Sequence, residues 1–223
     1  MSDLAIYDLD RTITRRATYT PFLIHCAVRR QQWRLLFVPG VALAMLAYLL
    51  RAFNRGKLKE ICQALLIGRH IHAAELKPLA ESFADATVTG NIRPGARRAI
   101  DRDRAQGRRL VLATASYRLY ANEIASRLGF DDVIATGSVI GLDDRVEARI
   151  LDENCYGDAK KRMIDSWVDA SGLLGRHGHV RFYSDHASDA PVFEWADEPV
   201  AVNPHAKLAR LAAERGWQVE DWD

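Results

Sequence analysis

The stretch LAIYDLDRT, residues 4–12, decides the fold predicted for this chain. Its apolar residues end in an acid, which predicts a buried strand that delivers Asp8 to its carboxyl end. Asp10 follows after one spacer, so both carboxylates can face one small volume, where they would repel each other unless a cation or a shared proton intervened. Taken alone, this pair is more simply interpreted as a solvated turn, because short motifs recur by chance.

Beyond Pro94 the sequence alternates between helical and strand patterns. The predicted helices cover residues 94–107, 121–128, 158–170 and 189–195, with a last helix after Pro204. The predicted strands cover residues 108–116, 132–136, 179–184 and 200–203, and residues 141–144 are expected to turn within a hairpin. The alternation predicts an α/β fold, a Rossmann-like parallel sheet with helices on both faces and ligands at the carboxyl ends of the strands.

Residues 14–91 separate the first strand from this alternating part and are expected to be entirely helical. They contain an uninterrupted apolar run over residues 35–50 and a helical stretch over residues 57–66 that Gly68 terminates. We therefore predict a core formed by residues 1–13 and 92–223, with residues 14–91 inserted as an all-helical cap.

The composition is that of a folded globular protein. The 223 residues are 48% hydrophobic and 27% charged, and the net charge is only +2, so neither disorder nor a nucleic-acid partner is indicated. Three widely spaced cysteines without a CxxC pair predict neither a disulfide framework nor a zinc site, and the pairs His70–His72 and His177–His179 are interpreted as surface or loop residues. The acidic N-terminus lacks the pattern of a secretory signal, so we expect a cytoplasmic protein.

A second pair of acids follows a later predicted strand. Asp185 and Asp189 lie four residues apart where a strand turns into a helix, so both are expected to face the strand ends beside Asp8 and Asp10. A turn residue and a helix cap explain either acid alone. Four carboxylates in one crevice would be costly without a divalent metal and a basic partner, so the set as a whole favours a site.

The complementary positive and hydrogen-bonding groups lie at two other predicted boundaries. Thr114 ends the strand LVLAT, where its hydroxyl and the following backbone N–H groups, with Ala115 first, can hold a phosphate oxygen. Lys160 opens a helix and can neutralise both a phosphate and an attacking carboxylate. Taken singly, such a threonine is usually structural and such a lysine is usually solvated, so the argument rests on their combination.

Together these segments resemble the haloacid dehalogenase superfamily, in its phosphoserine-phosphatase-like branch with a helical cap after the first strand. The resemblance covers residues 1–15 and 93–210 through four motifs in the family's order, and the cap only by position and helical character. The motifs are DxDx[TV], a strand ending in Thr or Ser, a lysine, and (G/S)DxxxD after a strand. In this sequence they match Asp8, Asp10, Thr12, Thr114, Lys160, Ser184, Asp185 and Asp189.

The resemblance implies a Mg²⁺-dependent phosphomonoester hydrolase. Asp8 would attack phosphorus and form an aspartyl-phosphate, while Asp10 would protonate the leaving oxygen and later activate water. The implied magnesium site consists of the Asp8 carboxylate, the Asp10 backbone carbonyl and Asp185, with Asp189 behind them. The implied catalytic and phosphate-binding groups are Thr12, Thr114, Ala115 and Lys160.

The cap selects the substrate in this family, and two features of residues 14–91 bear on it. Phosphoserine phosphatases of the family place a glutamate nine residues after the nucleophile; Ala17 occupies that position here, which disfavours phosphoserine. The apolar run 35–50 would span about 24 Å as a helix, less than the roughly 30 Å of a bilayer's hydrocarbon core. Pro39 and Gly40 would also break it near one end, so a simple transmembrane span is not expected.

Basic residues on both sides of this run suit peripheral contact of residues 33–53 with an anionic membrane. A buried cap helix or a dimer interface is an equally weighted alternative. Members of this branch with a similarly apolar cap resemble phosphatidylglycerophosphate phosphatases, which makes a lipid head-group phosphate the preferred substrate. A small soluble phosphomonoester competes with it, and a lipid-surface binding protein on the same fold is the alternative from another functional class.

Overall fold

The first strand, β1 (Leu4–Tyr7), is the centre of the sheet. We describe it from a computed structural model that covers residues 3–172 and 178–223. All four residues of β1 are buried, and the strand pairs in parallel with β3 (Arg109–Tyr117) on one side and β6 (Val180–Ser184) on the other. The stretch that predicted a buried strand therefore holds the position with sheet on both sides, as its continuous apolar character requires.

Eight strands of the described residues form one sheet. Its order is β2 (His70–His72), β5 (Arg145–Leu151), β4 (Asp132–Ile140), β3, β1, β6, β7 (Glu198–Val202) and β8 (Gln218–Glu220). The strands from β4 to β8 in this order are parallel, whereas β5 and β2 add an antiparallel edge. The predicted hairpin turn at residues 141–144 joins β4 to β5, and the predicted Rossmann-like core is confirmed.

Helices cover both faces of the sheet. Side chains of β1 alternate between the two cores, with Ala5 and Tyr7 in one hydrophobic cluster and Leu4 and Ile6 in the other. The core helices are α5 (Pro94–Ala105), α6 (Arg118–Leu128), α7 (Asp158–Ser171), α8 (Ala190–Trp195) and α9 (Ala206–Arg215).

The segment inserted between β1 and α5 is mainly helical. Its elements are α1 (Tyr19–Arg30), a 3₁₀ turn (Gln32–Phe37), α2 (Val38–Leu49), α3 (Arg55–Leu66) and α4 (Ala73–Gly90). The prediction of helix throughout is wrong at β2, which pairs with β5. The backbone of β5 would otherwise expose an unpaired edge, and three residues of the cap cover it while burying Ile71. His70 and His72 point to solvent, as predicted; His177 lies outside the described residues.

The apolar run of the cap begins in the 3₁₀ turn and continues through α2, with Pro39 in the first turn of the helix. By length and composition Gln32–Leu49 could cross a membrane, with a mean hydropathy of 1.4. Core helices of soluble proteins pass the same test, but such helices are mostly buried, whereas only 6% of this stretch is buried. The run therefore contributes little to the core of this chain.

A buried network fixes β1 and β6 relative to each other just before their carboxyl ends. Asp103 is fully buried, and it accepts hydrogen bonds from the hydroxyls of Tyr7 (2.5 Å) and Tyr183 (3.0 Å) and from Arg181. The rings of Tyr7 and Tyr183 stack at 4.4 Å. Because Asp8 and Ser184 follow these tyrosines directly, the network also sets the spacing of the acids that come after each strand.

Candidate active site

The chain leaves β1 through one wide turn, Leu9–Ile13, closed by a bond from the Thr14 N–H to the Leu9 carbonyl at 3.0 Å. Arg11 adopts φ = +66°, a left-handed conformation that costs a non-glycine residue about 1–2 kcal/mol. Its amide is stabilised by the Thr14 hydroxyl at 3.1 Å. The turn returns the chain to the sheet edge, so Asp8 and Asp10 line the same cavity.

Lys160 and Asp8 form the centre of the site. The Lys160 ammonium, almost fully buried, lies 2.8 Å from Asp8 Oδ1 and 2.7 Å from Asp189 Oδ2. Burial raises the pKa of Asp8 to about 7, with the charges of Asp189 and Asp185 adding to the rise and Lys160 opposing it. The two carboxylates outweigh the desolvation of Lys160 and raise its pKa, so this cation is permanent.

Asp185 and Asp189 reach this centre from the end of β6. Asp189 Oδ2 also accepts a bond from Ser184 Oγ at 2.7 Å, but its buried Oδ1 has no hydrogen-bond partner among the described residues. Burial raises the pKa of Asp185, and the side chain of His205, 3.2 Å away, opposes the rise. The prediction that both acids lie beside Asp8 is thus met by the geometry.

Thr12 lies beside the acids of the site. Its side chain is completely buried, like that of Thr114, but unlike Thr114 it is not among the residues that line the cavity. Its hydroxyl lies 3.2 Å from Asp8 Oδ2 and 3.4 Å from Asp185 Oδ1, and it accepts a bond from the Asp185 N–H at 3.0 Å. Thr12 therefore holds the two acids side by side, and its contact with phosphate stays a prediction.

Asp10 is oriented by the first residues of the cap and the end of β3. Its Oδ1 accepts two bonds from Thr18, from the N–H and the hydroxyl, each at 2.7 Å. Its Oδ2 accepts a bond from Ser116 at 3.0 Å. No sequence motif marks Thr18 or Ser116, because both reach Asp10 only through the fold.

Thr114 and Ala115 line the cavity opposite Asp8. Thr114 is buried, and its hydroxyl accepts a bond from the Ser116 N–H at 3.0 Å, which shapes the end of β3. The Ala115 carbonyl points away to a cap lysine, Lys59, at 2.5 Å. Both residues stand where the sequence placed them, and their contact with phosphate stays a prediction.

The cavity at the strand ends, which we call the catalytic cavity, has a volume of about 260 Å³. Besides the predicted residues, four basic side chains among the described residues line it that the sequence analysis left unassigned: Arg11, Arg55, His186 and His205. Arg55 comes from the cap and stacks on Tyr156 of the core at 4.3 Å. His205 follows strand β7, which pairs with β6, so its contact with Asp185 could be predicted only from the order of the strands in the sheet.

A divalent cation fits this donor set. Asp8, Asp185 and Asp189 are three buried carboxylates around a single buried lysine, and one oxygen of Asp189 lacks a partner within the described part of the chain. No group of three or more His, Cys, Asp or Glu side chains with the arrangement of metal ligands occurs among the described residues. A cation would therefore take two carboxylates and complete its oxygen ligands from backbone and water, as Mg²⁺ commonly does.

The sequence matches one protein family and curated relatives that include phosphatases. The family model of haloacid dehalogenase-like hydrolases matches residues 5–194. Phosphoserine phosphatase SerB1 of Mycobacterium tuberculosis is 31% identical over 159 residues, which is 71% of this chain and 50% of the relative. Histidinol-phosphatase of Neisseria meningitidis is 26% identical over 146 residues, 65% of this chain and 66% of that protein. The chain spans about half the length of the first curated relatives.

Solved structures share the whole fold. A protein of unknown function from Bordetella pertussis Tohama I superposes with a TM-score of 0.89 at 26% identity, over 100% of both chains. A substrate-bound phosphoserine phosphatase superposes with a TM-score of 0.66 at 15% identity, over 100% of this chain and 95% of the other. The second likeness concerns the fold alone.

Proposed function

Because the chain belongs to the haloacid dehalogenase-like hydrolase family, we propose that it is a Mg²⁺-dependent phosphomonoester hydrolase with Asp8 as its nucleophile. The observation that carries the proposal is the buried Lys160 shared by Asp8 and Asp189, at 2.8 and 2.7 Å. A buried ion group of this kind is expensive to build for stability alone, because hydrophobic residues of similar volume often serve as well. Its position at the strand ends, in a cavity, favours a catalytic role.

In the first step the ionised Asp8 attacks phosphorus in line. A bond forms from the carboxylate oxygen to phosphorus, the bond to the leaving oxygen breaks, and an aspartyl-phosphate results. Lys160 lies beside the attacking carboxylate, and it neutralises charge on the phosphoryl oxygens, together with the backbone after Thr114. Thr12 keeps Asp8 in place through its hydroxyl.

Asp10 is the proposed acid and base. Thr18 and Ser116 fix its carboxylate at the junction of the core and the cap, where the leaving oxygen departs. It gives a proton to that oxygen and then takes one from the water that hydrolyses the aspartyl-phosphate. In the proposed domain arrangement, residues 1–13 and 92–223 carry this chemistry and residues 14–91 form the cap above it.

Asp8, Asp185 and the Asp10 carbonyl would hold Mg²⁺, and Asp189 would support the site through its unpartnered oxygen. When bound, the ion lowers the energy of the negative charge that the phosphoryl oxygens carry. In its absence Asp8 is only partly ionised at neutral pH, because burial raises its pKa to about 7.

The proposal is tested by phosphate release from an aryl phosphate with Mg²⁺ and with EDTA, in wild type, Asp8→Asn and Asp10→Asn. Asp8→Asn should lose all turnover with an unchanged circular dichroism spectrum. Asp10→Asn should form the acyl phosphate from this activated ester but release it slowly, so acid-quenched protein carries one phosphoryl group by mass spectrometry. Asp101→Asn, a change at an exposed acid of α5, is the control. Mg²⁺-dependent turnover by Asp8→Asn would refute the nucleophile assignment.

For the substrate we retain a lipid head-group phosphate such as phosphatidylglycerophosphate. The support is the exposed apolar face of the cap, Leu36, Leu43, Leu46, Leu49 and Leu50, each more than half exposed. Such a face suits peripheral contact with an anionic membrane, on its inner side for a cytoplasmic protein. Among the flanking basic residues, Arg34 is bonded to cap carbonyls, whereas Arg29 and Arg51 are exposed.

A small soluble phosphomonoester is the second candidate, favoured by the names of the relatives, phosphoserine phosphatase and histidinol-phosphatase. Phosphate release from phosphatidylglycerophosphate in mixed micelles, measured beside these two soluble esters, separates the candidates. A lipid substrate predicts that Leu43→Glu lowers turnover in micelles and leaves a soluble aryl phosphate unaffected. Equal turnover of all esters, with no effect of Leu43→Glu, would exclude a role of the apolar cap face in binding a membrane-held substrate.

A further inference from the structure

A second cavity, which we call the inner cavity, adjoins the catalytic one under the cap. Its volume is about 300 Å³, and it shares four lining residues with the catalytic cavity: Asp10, Ala17, Arg55 and Ala115. Asp10, the proposed acid, therefore stands between the two spaces. A leaving oxygen protonated by Asp10 would carry its substituent toward the inner cavity.

The inner cavity is lined mainly by apolar groups. One side of α2 contributes Val41, Met45 and Tyr48, and the facing side chains come from α1 and α3. Those facing side chains are Tyr19, Leu23, Leu58, Cys62 and Leu66. Ala17 lines both cavities, and its small side chain leaves space between them.

The charges around the inner cavity are positive. Arg55 and Lys59 line it, and among the described residues no carboxylate other than Asp10 does. Lys59 is buried and donates to the Ala115 carbonyl (2.5 Å) and to Asn154 Oδ1 (2.7 Å). When Lys59 is protonated, two of its three protons are thereby used, which leaves one for an acceptor in the cavity. A substrate ammonium would meet the guanidinium of Arg55 here and lose its hydration without a dedicated partner.

We propose that the inner cavity binds the leaving group of the substrate, and that this group is apolar over most of its length and carries no ammonium. The inference rests on the proposed function, since Asp10 defines which side the leaving group takes. A hydrocarbon or aromatic group with one acceptor near Lys59 matches both the lining and the charge. Phosphoserine and histidinol phosphate, which each bear an amine, do not.

Helix α2 offers matched variants because its two sides face different surroundings. Val41 lines the inner cavity, whereas Leu46 points outward and is 53% exposed. Val41→Trp fills the cavity, and Leu46→Trp makes a comparable change of size on the outer side. Tyr48→Ala enlarges the cavity and acts in the opposite direction.

The experiment measures kcat/KM for n-alkyl phosphates from ethyl to octyl, each below the concentration at which it forms micelles, beside phosphoserine and histidinol phosphate. In wild type, kcat/KM should rise by up to about fourfold per buried methylene until the cavity is full. The two amines should be no better than ethyl phosphate. Val41→Trp should lower the hexyl value at least about tenfold and the ethyl value less than about twofold, while Tyr48→Ala should move the optimum to longer chains. Leu46→Trp should leave the whole series unchanged.

The outcomes separate this inference from the proposed function. Absence of Mg²⁺-dependent release from every ester would overturn the proposed function itself. Release from the series without dependence on chain length would overturn the inner-cavity assignment alone. So would a preference for phosphoserine, equal losses for ethyl and hexyl phosphate in Val41→Trp, or strong turnover of a micellar lipid beside a flat alkyl series.

Discussion

Replacing Lys160 by methionine is the sharpest perturbation of the site, because it removes the ammonium that pairs with two buried acids, Asp8 and Asp189. Lys160 is 2% exposed and lies within 2.8 Å of both Asp8 and Asp189. Breaking a buried ion group by removing one partner costs about 3–5 kcal/mol of unfolding free energy. In a chain of this size that corresponds to a fall in Tm of roughly 10 °C.

The loss should depend on pH, since the orphaned carboxylates can take up protons. The pKa of Asp8 is already about 7, and Lys160 is what holds it down. Without Lys160 the folded variant binds protons that the unfolded chain releases above about pH 4, so its stability falls as the pH rises from about 4 through 7 and beyond. Wild-type Asp8 releases its proton near pH 7, whereas the variant's Asp8 keeps it to higher pH. The two stabilities therefore diverge as the pH passes through 7, and the destabilisation relative to wild type is larger at pH 7.5 than at pH 5.

The assay is urea denaturation of the metal-free protein in EDTA, followed by circular dichroism at both pH values. Lys161→Met, one residue further along α7, is the control, because Lys161 pairs with the half-exposed Asp165 across one helical turn and lies over the Trp195 ring, away from the acids of the site. That change should cost less than about 1 kcal/mol at either pH. If Lys160→Met were as stable as Lys161→Met at pH 7.5, the ion group at the centre of the site would not exist as described.

Two further predictions concern packing and protonation elsewhere. In Gly95→Ala the new Cβ would lie 2.5 Å from the Trp222 backbone, so overpacking should lower the free energy of unfolding by about 1–3 kcal/mol. In the control, Gly90→Ala, the new Cβ meets nothing within 4 Å, so this variant should be no less stable than wild type. Similar urea midpoints for the two variants would refute the packing of Trp222 against Gly95. Burial lowers the pKa of Lys59 to about 7, so between pH 7 and about 10.4 the unfolded chain holds a proton on this side chain that the folded chain lacks. The contribution of Lys59 to the free energy of unfolding of the wild type therefore rises with pH over this range. The stability of Lys59→Met minus that of wild type should therefore fall by about 2.5 kcal/mol from pH 6 to pH 9, and a constant difference would contradict the burial of this charge.

The sequence predicted the core well because its signals are local. Strand β1, the hairpin between β4 and β5 and the helices from α5 to α9 follow from apolar periodicity and from turn and cap residues. Strands β2 and β8 were missed, since each has three residues and is specified by the edge it covers. The short edge strands have no periodicity of their own.

The acids and the lysine of the site could be identified from sequence because parallel strands bring their carboxyl ends to one edge. The hydrogen bonds of Thr12 could not, since they join it to Asp8 and to the distant Asp185, and only the packing of the two strand ends brings these groups together. Arg55 and Lys59 belong to a helix whose approach to the core depends on how the whole cap docks.

By itself, then, the sequence determined that a parallel sheet carries Asp8, Asp10, Lys160, Asp185 and Asp189 at its carboxyl edge, because hydrophobic pattern and strand order are local or topological properties. The tertiary structure alone decided which side of α2 faces the inner cavity and which faces outward. A run that is apolar on all sides contains no periodicity from which its buried side can be read. That choice is made by the space left between cap and core, and the specificity proposed for this protein depends on it.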